Sequence, residues 1–414
     1  MKKCVVIGGG VIGLCTAYFL QKEGHQVTVI DKSPMNEGAS YVNAGYISPS
    51  HIIPLSAPGV VKKGLQWMFD PASPFYVKPR LDLDFLRWAW AFNKSCTAAH
   101  VQTAIPLIRD ISVLSHELFE DIKSEPGFDF HFEKKGLLML CKSEKMLEQE
   151  INIAQLAGEV NLAAEVLDQS ALKNLEPNLG MEVIGGTLYK CDSHTTPQEF
   201  MRNMKDHLVK NGVCILANRE VLDLNCKDNK VVSVTTSEDS IEAEEFILAS
   251  GSWTAKIAKK MGIRVLLQAG KGYSINVERE TGISYPAILA EAKVAVTPMN
   301  GFTRFAGTME IGGINTHINP VRVNAIAKAA TQYYSEIAIN EKELNQASSG
   351  LRPLSPDGLP YIGRVQEYHN LTLATGHAMM GWTMATGTGK MVSELISEKK
   401  TSLNLEPFRP DRKF

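Results

Sequence analysis

Little in this sequence points to an extracellular, nucleic-acid-binding or membrane-spanning protein. The seven cysteines among its 414 residues are scattered, odd in number and never spaced as C-x-x-C. Neither a disulfide framework nor a zinc site is therefore predicted, no metal ion is expected, and a cytoplasmic location fits best. The formal net charge is −2 without a basic tail, which gives no electrostatic argument for nucleic-acid binding. No uninterrupted apolar run is long enough to span a bilayer, so any membrane contact is expected to be peripheral.

Residues 2–31 have the pattern of a strand, a glycine-rich turn, a helix and a second strand. A β-branched run at residues 4–7 predicts a buried parallel strand, and G-x-G-x-x-G follows at Gly8, Gly10 and Gly13. These glycines allow a tight turn, close approach of the backbone to a pyrophosphate, and close packing of a helix over residues 11–23. A second strand at 26–30 ends at Asp31, whose carboxylate can bind ribose hydroxyls. The segment predicts a dinucleotide site.

The same segment has a second interpretation, because Lys2 and Lys3 precede an apolar run to Leu20 as in a signal peptide. Four glycines interrupt that run, no small-x-small cleavage site ends it, and it continues into the strand before Asp31. We therefore expect a folded nucleotide cradle, and the same glycines argue against a transmembrane helix.

Residues 37–50 are rich in small residues and turn formers directly after the cradle. Gly38, Ala39 and Ser40 would let a second backbone segment approach phosphates. Asn43 and Gly45 could lie close to a planar ring system. The alternative is an ordinary surface loop that contains glycine.

Residues 59–93 are aromatic and basic, and two interpretations compete. A helix over residues 81–92 would place Phe85, Leu86, Ala89 and Phe92 on one face, as in a helix packed on the core. Aromatic and basic side chains also suit a lipid surface, and the candidates for that role are Lys62, Lys63, Trp67, Lys78 and Arg80. Core packing is the favoured interpretation.

The middle of the chain predicts helices and strands around the cradle. Helices are predicted at 104–122, with Pro106 in the first turn, at 142–165, and at 197–211 after a capping box that begins at Thr196. Short strands are predicted at 128–132 and 137–141. Four more, at 213–216, 220–226, 231–236 and 245–248, are expected to resume the cradle's sheet, and the last of them runs into Ser250 and Gly251.

The alternation in residues 265–313 predicts an antiparallel sheet with one face available to a ligand. Its strands are predicted at 273–277, 287–289, 294–297, 302–305 and 308–311, and a helix at 321–334 follows. A glycine-rich loop at 374–389 is predicted to open a helix that runs to residue 398, with the N-terminus of the helix facing a cofactor.

The sequence resembles the FAD-dependent D-amino-acid oxidase superfamily, and most closely its bacterial D-amino-acid dehydrogenase branch. The motifs behind the resemblance span nearly the whole chain: VVIGGGVIG at 5–13, GASYVNAGYISPS at 38–50, APGVVKKGLQWMF at 57–69, LASGSWT at 248–254, KGYSI at 271–275, GLRPLSPDGLPYIG at 350–363 and TGHAMMGWTMATG at 375–387. The resemblance implies an α/β (α+β) fold. A Rossmann-like FAD-binding domain (1–80, 185–262 and 345–414) would be interleaved with an antiparallel-sheet substrate domain (81–184 and 263–344).

The resemblance also implies which residues hold a non-covalent FAD. The AMP half would be held by Gly8, Gly10, Val11, Gly13, Asp31, Lys32, Ser40, Val221, Ser250 and Gly251. The isoalloxazine would be approached by Asn43, Gly45, Gly381, Trp382, Thr383 and Met384.

For the substrate, the resemblance implies that Arg352 binds the carboxylate and that Tyr273 lies in the pocket. Arg304 and His377 are weaker candidates. Met379 stands where glycine oxidases of the superfamily have an arginine, which disfavours that activity and leaves the pocket more apolar. The alternative for Arg352 is a brace of its loop, and for Tyr273 simple packing in a strand.

The implied reaction is oxidative deamination of a D-amino acid to a 2-oxo acid and ammonia, with hydride transfer from the substrate Cα to flavin N5. A guanidinium can position the Cα–H bond by clamping the carboxylate, and a neutral amine needs no side-chain base. The expected acceptor is a quinone or another non-oxygen carrier. Four alternatives stay open: a D-proline or hydroxy-D-proline dehydrogenase, an oxidase that produces hydrogen peroxide, an NAD-dependent dehydrogenase, and a non-catalytic flavin-binding subunit.

Overall fold

The computed structural model describes residues 1–67, 73–80 and 82–414, without the side chains of residues 63 and 65–67. The α-helices in these residues are α1 (Val11–Lys22), α2 (Val60–Trp67), α3 (Leu83–Ser95), α4 (Ala98–Ser124), α5 (Glu144–Glu159), α6 (Gln169–Leu175), α7 (Pro197–Lys210), α8 (Thr254–Lys260), α9 (Pro320–Tyr333), α10 (Glu341–Asn345) and α11 (Ala385–Ile396). Short 3-10 helices lie at Gly251–Trp253, Ala378–Met380 and Glu406–Phe408.

The strands form four sheets. In chain order they are β1 (Lys3–Ile7), β2 (Gln26–Ile30), β3 (Tyr46–Ile47), β4 (Phe75–Val77), β5 (Phe132–Glu133), β6 (Leu137–Cys141), β7 (Ala164–Asp168), β8 (Gly185–Tyr189), β9 (Ser193–Thr195), β10 (Cys214–Leu216), β11 (Val221–Lys227), β12 (Lys230–Thr236), β13 (Ser240–Glu242), β14 (Glu245–Leu248), β15 (Gln268–Val277), β16 (Ala287–Leu289), β17 (Val294–Met299), β18 (Phe302–Ile311), β19 (Ser348–Leu354), β20 (Tyr361–Arg364) and β21 (Leu371–Thr375).

The cradle sheet has the strand order β10-β2-β1-β14-β21-β20, and every pair is parallel except β20 with β21. The apolar run of β1 is buried on both faces, as a central parallel strand requires. Cys4 and Val6 face the core formed with α1, α4, α7 and α11, whereas Val5 and Ile7 face the opposite core. The predicted parallel sheet and its helix α1 are confirmed.

Two of the four strands that were expected to resume the cradle sheet lie elsewhere. β10 and β14 join it, but β11 and β12 form a separate antiparallel sheet with β13. The reason is local, because Asp228 and Asn229 both have positive φ, and two such residues make the tight turn that pairs adjacent strands as a hairpin.

The largest sheet follows the order β19-β15-β18-β17-β16-β6-β8-β7, with β4 paired to β18. Most of its pairs are antiparallel, as predicted. The strands predicted at 302–305 and 308–311 are one strand, β18, interrupted by a bulge opposite Gly272. The fourth sheet, β3-β9-β5, joins the loop after the cradle to the start of α7.

Three helix predictions differ from the structure. α4 begins at Ala98 rather than at residue 104, because the Thr97 side chain accepts a hydrogen bond from the His100 N–H and caps it, so Pro106 lies inside the helix. α5 ends at Glu159, and the last two residues of the predicted helix, 164 and 165, instead begin β7. α7 begins as predicted but without a capping box, since the Thr196 hydroxyl accepts from the Asn300 N–H instead.

The packed face of α3 also differs from the prediction. Trp88 and Phe92 are buried, and Phe85 and Ala89 pack beside them. Leu86 is 48% exposed because the helix rotates to bury the Trp88 indole, which donates to the Leu354 carbonyl. The predicted helix start at residue 81 and the proposed lipid contacts of Lys63 and Trp67 lie outside the described residues or side chains.

Two broader expectations concern domains and membranes. The cradle sheet is built from the ranges assigned to FAD binding, while β4, β8 and β19 from those ranges lie in the largest sheet, and the domain boundaries stay a prediction. Within the described residues, no helix combines the length and apolarity needed to cross a membrane.

Candidate active site

One cavity of about 1240 Å³ extends from the β1–α1 turn to the wall of the largest sheet. Its lining includes the predicted cofactor residues Gly8, Gly10, Val11, Asp31, Lys32, Ser40, Asn43, Val221, Ser250, Gly251, Gly381, Trp382 and Thr383. It also includes Arg352 and Tyr273. The structure thus brings together most of the residues that the sequence singled out at positions up to about 370 apart.

The glycines of the turn are required by close contacts. Gly8 has φ of +117°, and a Cβ there would lie 2.5 Å from the Ala249 carbonyl oxygen. A Cβ on Gly13 would lie 1.8 Å from the Gly8 carbonyl oxygen, so Gly13 serves helix packing and lies outside the cavity lining. The Ser40 hydroxyl accepts from the Val11 N–H at 3.0 Å and closes over the helix N-terminus. This cradle, which any side chain would fill, fits a pyrophosphate.

Asp31 lies at the end of β2, where its carboxylate is fixed by the turn. Its Oδ2 accepts from the Gly9 N–H at 2.7 Å, and its Oδ1 accepts from the N–H and the hydroxyl of Ser33 at 2.8 and 2.7 Å. A carboxylate has about four acceptor sites, so capacity for ribose hydroxyls is left. Next to it, Lys32 Nζ lies 3.8 Å from the ring centroid of Trp253.

The second wall of the nucleotide end comes from β11 and the end of β14. Val221 lines it through β11. The Ser250 hydroxyl donates to the Ile7 carbonyl at 2.9 Å, which ties the ends of β14 and β1 together. Gly251 has φ of +53°, and its carbonyl accepts from the Thr375 hydroxyl. These residues border this end of the cavity without a charged side chain.

The far end of the cavity is closed by the loop before α11. The Trp382 indole N–H donates to the Thr195 hydroxyl at 3.0 Å, and the Thr383 hydroxyl donates to the Tyr46 carbonyl at 3.1 Å. Met384 is buried just outside the lining. This loop is therefore held against β3 and β9.

Asn43 and Gly45 have different places in the segment before β3. The Asn43 side chain accepts from the Gly45 N–H at 2.8 Å, and Asn43 lines the cavity. Gly45 does not line it; its φ is +79°, and a Cβ there would lie 2.2 Å from the Thr195 carbonyl oxygen. Gly45 permits close packing on β9, which is a structural role.

Arg352 projects from β19 into the cavity and rests on Gly272. A Cβ on Gly272 would lie 2.2–2.4 Å from three atoms of the guanidinium group, so only glycine provides this seat. Arg352 Nη1 donates to the Thr308 carbonyl at 2.9 Å. Among the described residues no carboxylate pairs with it. Burial lowers the pKa of Arg352 to about 10, which leaves it charged at neutral pH.

Thr308 is a site residue that the sequence did not indicate. It has φ of +64°, which is strained for a β-branched residue, and it lies in the bulge of β18 opposite Gly272. Its hydroxyl is buried and has no hydrogen-bond partner in the described part of the chain. Such strain and an unsatisfied donor are typical of functional sites, and no local sequence signal marks them.

Tyr273 is almost fully buried, and its hydroxyl donates to Glu310 Oε2 at 2.8 Å. Burial and this carboxylate raise the pKa of Tyr273 well above its usual value. Lys271 Nζ approaches the other oxygen of Glu310 at 3.4 Å. The hydroxyl is therefore engaged in a buried polar network, and direct contact with a substrate stays a prediction.

The weaker candidates brace the walls. Arg304 donates to the carbonyls of Tyr41 and Asn43 at 2.9 and 2.7 Å and fixes the segment before β3. His377 lies 2.9 Å from the Thr388 hydroxyl, and burial lowers its pKa to about 3, so it is neutral. Met379 lines the cavity and is 50% exposed.

Comparisons with known proteins identify the family of the chain. The chain matches the DAO family, described as FAD dependent oxidoreductase, over residues 3–395. Curated relatives named D-amino acid dehydrogenase are 30% identical in Granulibacter bethesdensis and 31% identical in Vibrio vulnificus; each match covers 97% of this chain, and 97% and 99% of the relative.

Two solved structures share the fold. Glycine oxidase from Geobacillus kaustophilus has a TM-score of 0.78 at 21% identity over 100% of both chains. L-proline dehydrogenase from P. horikoshii has a TM-score of 0.75 at 19% identity over 99% of this chain and 96% of that one. The family, the fold class and the use of FAD that the sequence predicted are confirmed. This chain belongs to the DAO family of FAD-dependent oxidoreductases.

Proposed function

We propose that this protein oxidises D-amino acids to 2-oxo acids and ammonia, and that it passes the electrons to a quinone or another acceptor that is not oxygen. Arg352 carries the proposal, because it is a guanidinium without a carboxylate partner among the described residues, in the wall of the FAD cavity. A partly buried cation without a counter-ion favours a carboxylate ligand. The D configuration is supported by the two relatives named D-amino acid dehydrogenase.

The residues that would hold FAD divide into two groups. The turn with Gly8 and Gly10 would take the pyrophosphate together with Ser40, while Gly13 would let the helix pack closely on that turn and Asp31 would take the ribose. The walls of the nucleotide end would be completed by Val11, Lys32, Val221, Ser250 and Gly251, and those of the ring end by Asn43, Gly381, Trp382 and Thr383. Gly45 and Met384 would support the ring end from outside the lining. Bound FAD supplies the hydride acceptor.

The chain's own contribution to the reaction is position. Arg352 has its Nη1 fixed by the Thr308 carbonyl, and its other N–H groups have no partner in the described part of the chain, so they are available to a carboxylate. Gly272 holds the guanidinium from below. A clamped carboxylate fixes the direction of the Cα–H bond. This raises the rate, because the reacting atoms are already aligned when the substrate is bound.

Proton handling needs no dedicated base in this proposal. His377 is held neutral with a pKa of about 3 and is bonded to Thr388, so it is a poor candidate for a base at neutral pH. A substrate amine that arrives neutral loses its Cα hydride without prior proton transfer. We retain Tyr273 as a pocket residue whose hydroxyl would have to turn from Glu310 to reach the substrate, and the Tyr273→Phe variant tests that role.

The decisive experiment is anaerobic mixing of the yellow protein with D- and L-amino acids, including the prolines and glycine. Bleaching by several D-amino acids supports the proposal. Bleaching only by D-proline or hydroxy-D-proline would narrow it to that dehydrogenase, and bleaching only by L-amino acids or glycine would overturn the D assignment. Air is then readmitted: slow return of colour supports a non-oxygen acceptor, whereas fast return with hydrogen peroxide indicates an oxidase. If no amino acid bleaches the colour, a non-catalytic flavin subunit is the better description.

A membrane-bound acceptor is supported by an exposed stripe on α3. Leu83, Leu86 and Trp90 are 70%, 48% and 66% exposed, and they follow each other at helical spacing. Arg87 and Arg264 line the same shallow groove. Apolar side chains flanked by arginines suit the surface of an anionic bilayer, so we propose that this stripe makes a peripheral membrane contact.

Sedimentation with vesicles tests the contact. We expect the protein to bind vesicles that contain phosphatidylglycerol and to lose binding in the Leu86→Gln/Trp90→Gln variant. The matched control is Val209→Gln, because Val209 is 58% exposed on α7, away from the stripe. Equal binding by all three proteins, or binding by none, would remove the membrane contact without affecting the assignment of the substrate.

A further inference from the structure

Three potential metal ligands lie on one face of the small sheet, outside the cavity. Glu133 on β5 is directly opposite His194 on β9 in the antiparallel register. His131 lies two residues before Glu133, which places it on the same face of an extended chain. One ring nitrogen of each histidine and one oxygen of the carboxylate lie within 4.8 Å of one another. The geometry of the strands therefore brings the three side chains together.

His194 is the member that most needs a ligand. Its side chain is completely buried, and in the described part of the chain neither ring nitrogen has a hydrogen-bond partner. The nearby Pro298 carbonyl favours a proton on the ring, but it makes no hydrogen bond of normal geometry with either nitrogen. A buried imidazole with unsatisfied nitrogens costs free energy, which a bound ion would recover.

The other two ligands are held in orientation by their neighbours. The Nδ1 of His131 lies 3.0 Å from the Thr196 hydroxyl, which leaves Nε2 directed at Glu133, 3.4 Å from its Oε1. Such outer contacts fix the ring and the tautomer of metal-binding histidines. Lys135 lies 2.8 Å from Glu133 Oε2, and Glu133 is partly exposed, so the site is open to solvent on one side.

We propose that His131, Glu133 and His194 bind a divalent transition-metal ion of the Zn²⁺ class, with water in the open position. Two imidazoles and one carboxylate suit Zn²⁺ better than Mg²⁺ or Ca²⁺, which prefer oxygen ligands. The ion would connect β5 to β9. Since Thr195 of β9 contacts Trp382 in the cavity wall, the metal would stiffen the strand that supports the ring end of the cavity.

The test is titration of the FAD-loaded protein with Zn²⁺, followed by calorimetry and by thermal unfolding. The background should be Cys214→Ser/Cys226→Ser, because these two exposed thiols can bind zinc themselves. We expect one ion per chain and a midpoint of unfolding that rises by several degrees. Cobalt(II) in place of zinc should give the absorption of a four- or five-coordinate site.

Three variants decide whether the ion occupies this cluster. His131→Gln and Glu133→Gln change partly exposed side chains, so both should fold, and each should weaken Zn²⁺ binding by at least about tenfold and abolish the thermal shift. His369→Gln removes an exposed histidine elsewhere and should bind like the parent. Failure of the parent to bind Zn²⁺, or equal binding by all variants, would overturn the proposal, and neither result depends on the substrate or on the acceptor.

Discussion

Replacement of Arg352 by lysine and by alanine measures how far substrate recognition depends on a planar guanidinium. A carboxylate held by two charge-assisted hydrogen bonds gains about 1.5–3 kcal/mol from each. Removal of both in Arg352→Ala should therefore cost roughly 3–6 kcal/mol of transition-state binding, a loss of about 10²- to 10⁴-fold in kcat/KM. Lysine keeps the charge but cannot bind with a fork, so Arg352→Lys should lose only about 10- to 150-fold.

The structure indicates that FAD binding will survive these changes. Arg352 contacts Thr308 and lies over Gly272, and within the described residues its hydrogen bonds involve none of the residues of the nucleotide end. The flavin absorbance and the cofactor content should therefore match the parent. The control is Arg279→Ala, a change to a side chain that is 42% exposed, which should leave kcat/KM unchanged.

The assay is steady-state reduction of an artificial electron acceptor with the D-amino acid that bleaches the flavin most rapidly. A kcat/KM of Arg352→Ala within about threefold of the parent, at full FAD content, would refute the assignment of Arg352 as the carboxylate ligand. Loss of FAD together with activity would refute the inference that Arg352 contributes to substrate binding without contributing to FAD binding.

Three further changes test other parts of the structure. Gly272→Ala should displace the Arg352 guanidinium by about 1 Å and lower kcat/KM about 10²-fold with FAD retained. Gly13→Ala should destabilise the fold by about 1–3 kcal/mol and lower the FAD content, because its Cβ would overlap the Gly8 carbonyl. His377 has a pKa of about 3, below its unfolded value near 6.5, so its contribution to stability is present above pH 6.5 and is lost as pH falls toward 3. When the pH is lowered from 6.5 to 4, the free energy of unfolding should therefore fall by roughly 3 kcal/mol less in His377→Gln than in the parent.

For each of these three variants, one measurement distinguishes the expected result from the result that would contradict it. For Gly272→Ala, unchanged kinetics would mean that the guanidinium can shift without consequence. For Gly13→Ala, the matched control is Gly158→Ala in α5, where a Cβ meets no atom within 4 Å among the described residues and full FAD content is expected. For His377, urea unfolding of both proteins across that pH range should give curves with different slopes, and parallel curves would contradict the prediction.

The sequence was most informative where structure depends on neighbours along the chain. The bounds of β2, β6, β14 and β16 were predicted as they stand, and the turn at Gly8 has the contacts that its motif implies. These features depend on the strand propensity of short segments and on the steric requirements of a few glycines, both of which can be read from the local sequence. The same holds for Asp31, whose place after β2 follows from the strand that precedes it.

The rest depends on register between distant strands, which one sequence does not specify. Arg352 was identified by resemblance, but its seat on Gly272 arises because β19 pairs with β15 about 80 residues earlier in the chain. The bulge at Thr308 and the pairing of Glu133 with His194 have the same origin. The prediction that Leu86 lies on the buried face of α3 was wrong for a related reason. The buried face is determined by the hydrogen bond from Trp88 to the Leu354 carbonyl, which is distant in sequence.

The order of strands in the cradle sheet has a consequence for biosynthesis. β1 is made first, but it pairs with β14 some 240 residues later, and β14 pairs with β21 a further 120 residues on. At roughly 5–20 residues per second, a ribosome takes about 20–70 s between β1 and β21. Throughout that interval the nascent chain carries a hydrophobic strand with an open edge, which is a substrate for chaperones. We therefore expect cofactor loading to be a late event, and we expect a chain released before β21 to be degraded rather than to persist as an apoenzyme.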